Sequence, residues 1–572
     1  MKKLINRPEA VVEEMIEGLV AVHPGLRRLE GRSVIVRAGS GESGGRRVAL
    51  ISGGGSGHEP AHAGYVGPGM LDAAVLGDVF TSPSTDAVLA AIRAVAGPAG
   101  VLLIVKNYTG DRLNFGLAAE IARGEGIAVE VAVVADDAAL AASTGLAGAR
   151  GLAGTALVHK VAGAAAEAGA SLAGVAAEAR AAASAVATMG VALSPCTVPA
   201  AGTPGFALGE SEVELGLGIH GEPGVRRVPI GPADSFVDIL LATILDRLGP
   251  EAGDRVALLV NGLGGTPAME LAVVARRAVS GLESRGLAVV RAYAGTFLSA
   301  IEMAGVSLSV LLVDDARLAR LDAPTGAPAW PNASSTPRNR GTTAVPDPAP
   351  GPPPPAAPGP TTTATGRALG AALRASATAL IDATAHLTTL DQAVGDGDLG
   401  LSLARGSRAA VEALPSYPLD DPPAALRALG QTLREALGGT SGPLYATLAL
   451  AVAGRLESAP STGDPAAWAD AFAAGCGRVG EVGGASPGDR TMLDALVPAS
   501  EALTAALTSG QPPAAALAAA AEAAEAGAEA TASLPPRRGR SSYLGDRAIG
   551  HPDPGAVAVA LWLRAIARSL PG

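Results

Sequence analysis

The chain has 572 residues, a net charge of −11 and a pI near 5.3, with no Lys/Arg-rich run, which argues against a nucleic-acid-binding surface. It is 48% hydrophobic but only 3% aromatic, so a core must be built from Ala, Val and Leu at close spacing. Cys196 and Cys476 offer neither zinc spacing nor a disulfide framework, as in a reducing cytosol, and a cytoplasmic location is expected. Met1–Pro8 starts like a secretory signal, but Pro8, Glu9, Glu13 and Glu14 interrupt any apolar region. The Ala-rich tracts at 162–189 and 514–532 carry Glu or Arg repeatedly, so neither reads as a membrane span.

Val11–Val22 reads as an amphipathic helix, and Ser33–Val36 and Val48–Ile51 as strands. Between them Gly39-Ser40-Gly41-Glu42-Ser43-Gly44 spells G-x-G-x-x-G, but it leads into a strand, so the dinucleotide context is missing and a loop is expected. The second strand opens into Gly53-Gly54-Gly55-Ser56-Gly57-His58-Glu59-Pro60-Ala61-His62. Such a stretch lets a ligand lie against the main chain beside a hydroxyl and an imidazole. A helix over Thr85–Val95 follows, then a strand over Gly100–Val105 that ends in Lys106-Asn107-Tyr108-Thr109-Gly110-Asp111. A helix over Asn114–Arg123 and a strand over Ala128–Val134 continue the alternation, which predicts an α/β domain with a largely parallel sheet. Ligands of such sheets bind beyond the carboxyl ends of the strands, where both polar stretches fall.

Helices dominate from 154 to 188, and a second α/β unit follows. Its elements are strand Glu212–Leu217, loop Gly218–Arg226 with His220, helix Phe236–Leu248, strand Val256–Val260, helix Ala268–Val279 and strands Ala288–Ala294 and Ser307–Val313. A lone loop histidine is more often a structural hydrogen-bonder than a catalyst. Four polar residues at predicted strand ends (His58, Lys106, Asp111 and His220) are harder to dismiss. Neutral imidazole is a nucleophile, and a carboxylate can take a proton from a hydroxyl.

From Ala323 to Thr365 the chain is rich in Pro, Ala, Thr and Gly and reads as a linker, spanning roughly 35 Å as flexible coil. The domains expected are therefore 1–324, with lobes 1–190 and 191–324, a linker over 325–365, and 366–572. The last is all-α, with about eight helices. Within it Asp391, Asp396 and Asp398 crowd one glycine-rich turn and suit a hard cation such as Mg²⁺. An EF-hand fails, because the twelfth position is Ser402 or Ser407 rather than Glu. Gly438–Pro443 suits phosphate at a helix start, and Arg540–Gly545 with His551–Gly555 could wrap an adenine. No Walker-A sequence is present.

Together these motifs resemble the dihydroxyacetone kinase family in its single-chain, ATP-dependent form. The matching stretches are Gly53–His62, Lys106–Asp111, the His220 loop, Asn261–Pro267, Gly395–Gly400, Gly439–Gly442, Gly488–Met492 and Tyr543–Gly555. The resemblance implies an ATP-dependent phosphorylation of dihydroxyacetone or D-glyceraldehyde, with the carbonyl carbon held as a hemiaminal on His220. Asp111 and His58 match the residues that handle the reacting hydroxyl, Asp111 as base. Gly55, Ser56, Gly57 and Lys106 match substrate-binding positions. The second domain resembles a barrel of antiparallel helices in which Asp391, Asp396 and Asp398 hold two Mg²⁺ against ATP. Leu399, Gly400, Leu401, Ser402, Thr440, Ser441, Gly484, Met492, Asp553, Pro554 and Gly555 match nucleotide contacts, although Leu399 and Ser402 are not the residue types usual there. A homodimer is implied. The alternatives are a kinase of a larger ketose such as erythrulose, and a non-catalytic ketone-sensing regulatory protein. The resemblance leaves open a side activity in which the nucleotide domain cyclises FAD, which the sequence does not decide.

Overall fold

Apolar runs that alternate with helical periods build two sheets before the proline-rich stretch, and helices alone after it. The computed structural model describes residues 2–40, 47–140, 148–222, 224–331, 361–538 and 540–570. Most of the Gly39–Gly44 loop, most of the expected linker and the side chain of Tyr543 lie outside these residues. Two compact units result, 1–343 and 344–572.

In the first unit, α1 (Val11–Val22) precedes β1 (Leu26–Arg28), β2 (Val34–Arg37), β3 (Ala49–Ser56) and β4 (Ala73–Val79). Helix α2 (Thr85–Val95), β5 (Val101–Lys106), α3 (Thr109–Gly124) and β6 (Val129–Val134) follow. The strand order is β1-β2-β4-β3-β5-β6. Strands β4, β3, β5 and β6 run parallel, and β1 and β2 add an antiparallel edge. The largely parallel sheet expected from the alternation is present.

Helices α4 (Thr155–Glu167) and α5 (Leu172–Ser184) lead to a second sheet. Its strands are β7 (Val186–Ala192), β8 (Glu212–Leu215), β9 (Arg226–Pro229), β10 (Arg255–Gly262), β11 (Ala288–Gly295) and β12 (Gly305–Leu312), in the order β11-β10-β12-β7-β8-β9. Among the described strands of this sheet only β10 and β11 pair in parallel, and the helix α7 (Ala268–Glu283) makes the crossover between them. Helix α6 (Ala233–Leu248) packs with α7 on the outer face, and α8 (Asp315–Asp322) follows β12. The lobe division expected near 190 passes through β7, which belongs whole to the second sheet.

Helix α4 is buried from Thr155 to Ala166, between Leu50 and Ile104 of the first sheet and Leu259 and Leu311 of the second. Its alanines and glycine make it slim enough to be sandwiched, and Lys160 on it donates to Arg320 O and Ala323 O at 2.7 and 2.6 Å. The expected linker begins later than 325. Thr325 donates to Pro68 O at 2.7 Å, and Trp330, 4% exposed, packs on Tyr293 and Phe297. Thr325–Trp330 of the expected linker therefore belongs to the first core.

The second unit comprises α9 (Ala364–Asp382), α10 (Thr384–Val394), α11 (Leu399–Ala413), α12 (Pro422–Ala436), α13 (Ser441–Glu457), α14 (Pro465–Gly483), α15 (Leu493–Thr508), α16 (Pro513–Ala530) and α17 (Pro554–Ser569). Eight of them pack in a closed ring, α9-α11-α12-α13-α14-α15-α16-α17 and back to α9, with α10 across α11. The eight expected helices are thus the ring, and α10 is an addition hidden because Ala383 alone separates it from α9. Neighbours joined by short connections run antiparallel. Arg405 early in α11 donates to Ala436 O at the end of α12, and Cys476 in α14 meets Leu496 in α15. Both cysteines are free and buried, and no described helix is long and apolar enough to cross a membrane.

Close packing of small residues holds this ring together. A side chain on Gly527 of α16 would run into the Asp494 carbonyl of α15, whereas one on exposed Gly477 of α14 would meet nothing within 4 Å. Alanine favours a helix over glycine by about 1 kcal/mol, but overpacking costs about 1–3 kcal/mol. Gly477→Ala should therefore raise the melting temperature of the helical unit and Gly527→Ala should lower it, read by thermal circular dichroism. Equal shifts in both would discount the helix contact.

Candidate active site

The site of the first unit starts from absent side chains. Strand β3 runs through Gly53–Gly55, where the sequence suggested a loop. A side chain at 53 would strike Val75 O and Phe115, one at 54 the Lys106 ammonium, and one at 55 the backbone of Phe80 and Thr81. Neighbouring elements occupy the space that three Cβ atoms would need. Ser56 is 2% exposed and donates to Gly77 O at 2.7 Å, so its one hydroxyl proton is used within the sheet. Gly57, with φ +98°, turns the chain towards His58, and its N–H donates to the Glu59 carboxylate at 3.0 and 3.1 Å.

Lys106, at the end of β5, is fully buried. Its Nζ donates to His62 Nε2 at 2.8 Å and to Gly53 O at 3.2 Å, and lies 3.8 Å from Asp111 Oδ2. Asp111 is itself 3% exposed. It sits in the first turn of α3, which begins at Thr109 rather than at Asn114, so the N-terminal end of the helix dipole supports its negative charge. Its Oδ1 accepts from Ser82 Oγ at 2.5 Å. Burial lowers the Lys106 pKa, and Asp111 opposes that shift.

His58 is fully buried. Its Nδ1 donates to Ser299 O, beyond β11, at 2.9 Å, which leaves Nε2 bare, buried and without a partner among the described residues. Burial first, then the neighbouring His220 and the Lys106 ammonium, hold its pKa well below the usual histidine value. The ring is therefore neutral at pH 7, with a free lone pair. His58 stacks on Phe80 at 5.0 Å, and Phe80 holds a left-handed backbone, φ 60°, which is strained for a bulky residue.

His220 comes from the loop after β8 in the other sheet. Its ring lies 4.9 Å from His58, 4.6 Å from Tyr108 and 5.3 Å from Phe80. Its side chain is 23% exposed, so it can be reached from solvent. Its backbone N–H donates to Glu222 Oε2 at 2.7 Å, and Glu222 Oε1 lies 3.6 Å from Nδ1. That second distance is too long for a hydrogen bond but within reach of charge attraction. Burial pushes the Glu222 pKa up, yet His220 and Arg150 outweigh it and hold the carboxylate low. Arg150 is fixed in turn by Asp137 at 2.6 Å and Gly216 O at 2.8 Å.

His58 thus lies beside His220, and Lys106 beside Asp111, with the Lys106 charge felt at His58. Sequence reasoning passed over Phe80, Ser82, Tyr108, Glu222 and Ser299. Tyr108 and Glu222 were within reach, inside or two residues beyond stretches already singled out. Ser82 and Ser299 carry no local signal, because their role depends on which strand ends adjoin.

In the second unit the alternation of the ring does the positioning. If α9 runs one way, the N-termini of α11, α13, α15 and α17 all fall at the end where α9 finishes. Leu399–Ser402, Thr440 and Ser441, Met492, and Asp553–Gly555 are therefore at one end, with the C-terminus of α14 and Gly484. Helix N-termini at one end of a ring carry partial positive charge that favours anions. Asp391, Asp396 and Asp398 place one oxygen each within 4.8 Å of one another, and Asp391 Oδ2 accepts from Leu399 N–H at 3.0 Å. This hard-oxygen set fits Mg²⁺ whose remaining positions go to phosphate and water.

Gly555 has no side chain where one would meet Met492 at 3.7 Å, which brings those two contacts together. Gly484 is explained by its own backbone, a left-handed helix cap with φ +59°. Leu401 is 61% exposed, an apolar side chain on the first turn of α11. Burial raises the Asp553 pKa to about 6, against its hydrogen bond from Ala556 N and the charge of Arg490. Arg490 was also missed. It is 1% exposed and donates to Thr531 O, Ala548 O and His551 O at 3.2, 3.0 and 2.7 Å, pinning the segment that delivers Asp553.

Residues 17–329 match the Dak1 domain and residues 393–568 the DAK2 domain. The chain is 49% identical over 583 residues to a putative 3,4-dihydroxy-2-butanone kinase of Solanum lycopersicum, covering 99% of this chain and 98% of that one. It is 45% identical over 576 residues to the human triokinase/FMN cyclase, again covering 99% and 98%. It is 39% identical over 586 residues to the L-erythrulose 1-kinase of Mycolicibacterium smegmatis, covering all of both chains. Among solved structures, the dihydroxyacetone kinase from C. freundii in complex with AMP-PNP and Mg²⁺ aligns over 100% of both chains, with a TM-score of 0.63 and 37% identity. With a Dak1 and a DAK2 domain in one polypeptide, the chain belongs to the dihydroxyacetone kinase family and is a kinase of that family.

Proposed function

We propose that the protein phosphorylates dihydroxyacetone or D-glyceraldehyde with ATP, holding the sugar as a hemiaminal on His220. The observation that carries this reading is the meeting of His220 with His58, whose buried Nε2 has no hydrogen-bond partner among the described residues. A buried, neutral imidazole with a bare nitrogen fits a group that waits for a substrate proton. His220 Nε2 adds to the carbonyl carbon, the C=O π pair moves to oxygen, and that oxygen takes a proton from solvent in exchange for the one Nδ1 releases. The Nδ1 proton leaves towards Glu222, so a neutral hemiaminal results. Covalent capture suits a three-carbon sugar, which offers few contacts, and it rejects glycerol, which has no carbonyl.

Asp111, aligned by Ser82 and Lys106, takes the proton of the reacting hydroxyl as its oxygen attacks the γ-phosphorus and ADP leaves, with His58 beside it. Lys106 balances the charge of Asp111. Gly55 and Gly57 supply close backbone approach, and Ser56 supports them by its bond to Gly77. In the helical unit Asp391, Asp396 and Asp398 would hold Mg²⁺, two ions in this reading, and the four helix N-termini receive the ATP phosphates. Bound Mg²⁺ offsets phosphate charge as the phosphoryl group transfers. The domains are read as substrate, tether and nucleotide segments in a cytoplasmic homodimer.

A second reading keeps this chemistry and enlarges the sugar to four carbons. It is favoured by the names of the tomato and mycobacterial relatives, which point to a butanone and to erythrulose. ADP release measured with dihydroxyacetone, D-glyceraldehyde, erythrulose and glycerol separates the two. The highest kcat/KM identifies the sugar, and turnover of glycerol at a comparable rate would remove carbonyl capture.

His220→Ala should abolish the sp³ carbon resonance that carbonyl-labelled dihydroxyacetone acquires on binding, and should depress kcat/KM by at least about 10²-fold. Glu222→Gln should slow adduct formation by roughly 10²-fold while leaving ATP binding intact. Normal adduct formation in either variant removes its assigned role. Asp396→Asn should raise the Mg²⁺ and ATP concentrations needed for half-maximal rate, with the sugar adduct unchanged. Full turnover there would sink the metal assignment. Because the His58 pKa is depressed, the ring should stay neutral as the pH falls through its ordinary value of about 6.5. In ¹⁵N-histidine spectra Nε2 of His58 should remain unprotonated at pH 6, and a protonated ring there would contradict its role as acceptor.

A further inference from the structure

His62 stands behind the site, and the reading above gives it no task. It is 1% exposed. Its hydrogen bonds settle its tautomer. Ser52 Oγ donates its only proton to Ile104 O at 2.7 Å, so at the 3.4 Å contact with Ser52 it is His62 Nδ1 that donates. Nε2 is then bare, and it faces Lys106 Nζ at 2.8 Å. A directed chain runs from Lys106 through His62 and Ser52 to the backbone of β5.

We propose that His62 is a positioning residue that keeps Lys106 charged and turned towards Asp111. The inference rests on the assignment of Lys106 and Asp111 to the substrate site. The Lys106 ammonium has three hydrogens. His62 Nε2 takes one, and Gly53 O at 3.2 Å takes a second. The third is left for the space over Gly54, which Asp111 Oδ2 borders, and a side chain at 54 would fill that space. Without an acceptor at 62, a fully buried ammonium keeps an unsatisfied donor, and losing its proton is the easier outcome.

The groups facing Lys106 are His62 and His58 from the segment after β3, Asp111 from α3 and His159 from α4. Burial first, then the Lys106 charge among others, holds all three histidines low, His159 at about 3, so none of them titrates in the alkaline range. A shift of the alkaline limb between variants at 62 therefore reports on Lys106.

The test measures kcat/KM for the sugar against pH in the full chain, as wild type, His62→Gln and His62→Leu. Glutamine offers a carbonyl oxygen as acceptor, and leucine offers none. The alkaline limb should move down by one pH unit or more in His62→Leu, a tenfold loss at a pH just above the new limb, and should stay in place in His62→Gln. A uniform loss with no shift, or equal shifts in both, would make His62 a packing residue only and overturn the proposal. If His62→Leu does not fold, ¹⁵N spectra of the wild type and Lys106→Met decide it. The His62 Nε2 resonance should change on loss of its donor, and an unchanged resonance overturns the proposal. This second measurement needs no turnover. Failure of every sugar to release ADP would therefore sink the functional reading and not the His62–Lys106 bond.

Discussion

A buried ammonium is the constraint around which the first unit is arranged. Lys106 has no exposure, so protein atoms must satisfy every hydrogen on its Nζ. That requirement accounts for the missing side chain at Gly54, the carbonyl of Gly53 turned towards it, the tautomer of His62 and the entry of Asp111 on the first turn of α3. The glycine stretch that stands out in the sequence is therefore less a flexible loop than a strand thinned to admit a lysine from its neighbour.

The two sheets contribute different things to the cleft. The parallel first sheet gives three strand ends and a rigid set of polar groups. The second, mostly antiparallel sheet gives His220 and the Ser299 carbonyl that fixes His58. The helical unit solves a separate problem, the gathering of charge. Antiparallel packing around a closed ring sends alternate N-termini to one end, so loops far apart in sequence converge there. Alanine and glycine at the helix crossings make that closure tight.

Much of the architecture was legible because its signals are local. Alternating apolar runs and helical periods announced an α/β unit with a largely parallel sheet, and the loss of strands after the proline-rich stretch announced a helical one. His58, Lys106, Asp111 and the three aspartates drew notice as polar groups interrupting glycine-rich punctuation. Less was legible at the edges. The break at Ala383 between α9 and α10 is one residue long, and Thr325–Trp330 has linker composition yet packs into the first core.

The sequence by itself determined which segments are strands or helices and which residues carry chemistry, because period, punctuation and residue type are properties of neighbours along the chain. Only the tertiary structure decided what those residues meet. That His58 is held neutral, that Glu222 lies beside His220, and that Ser82 holds Asp111 are consequences of burial and of contacts across strand ends. Burial is set by the whole fold, and no window of sequence contains it.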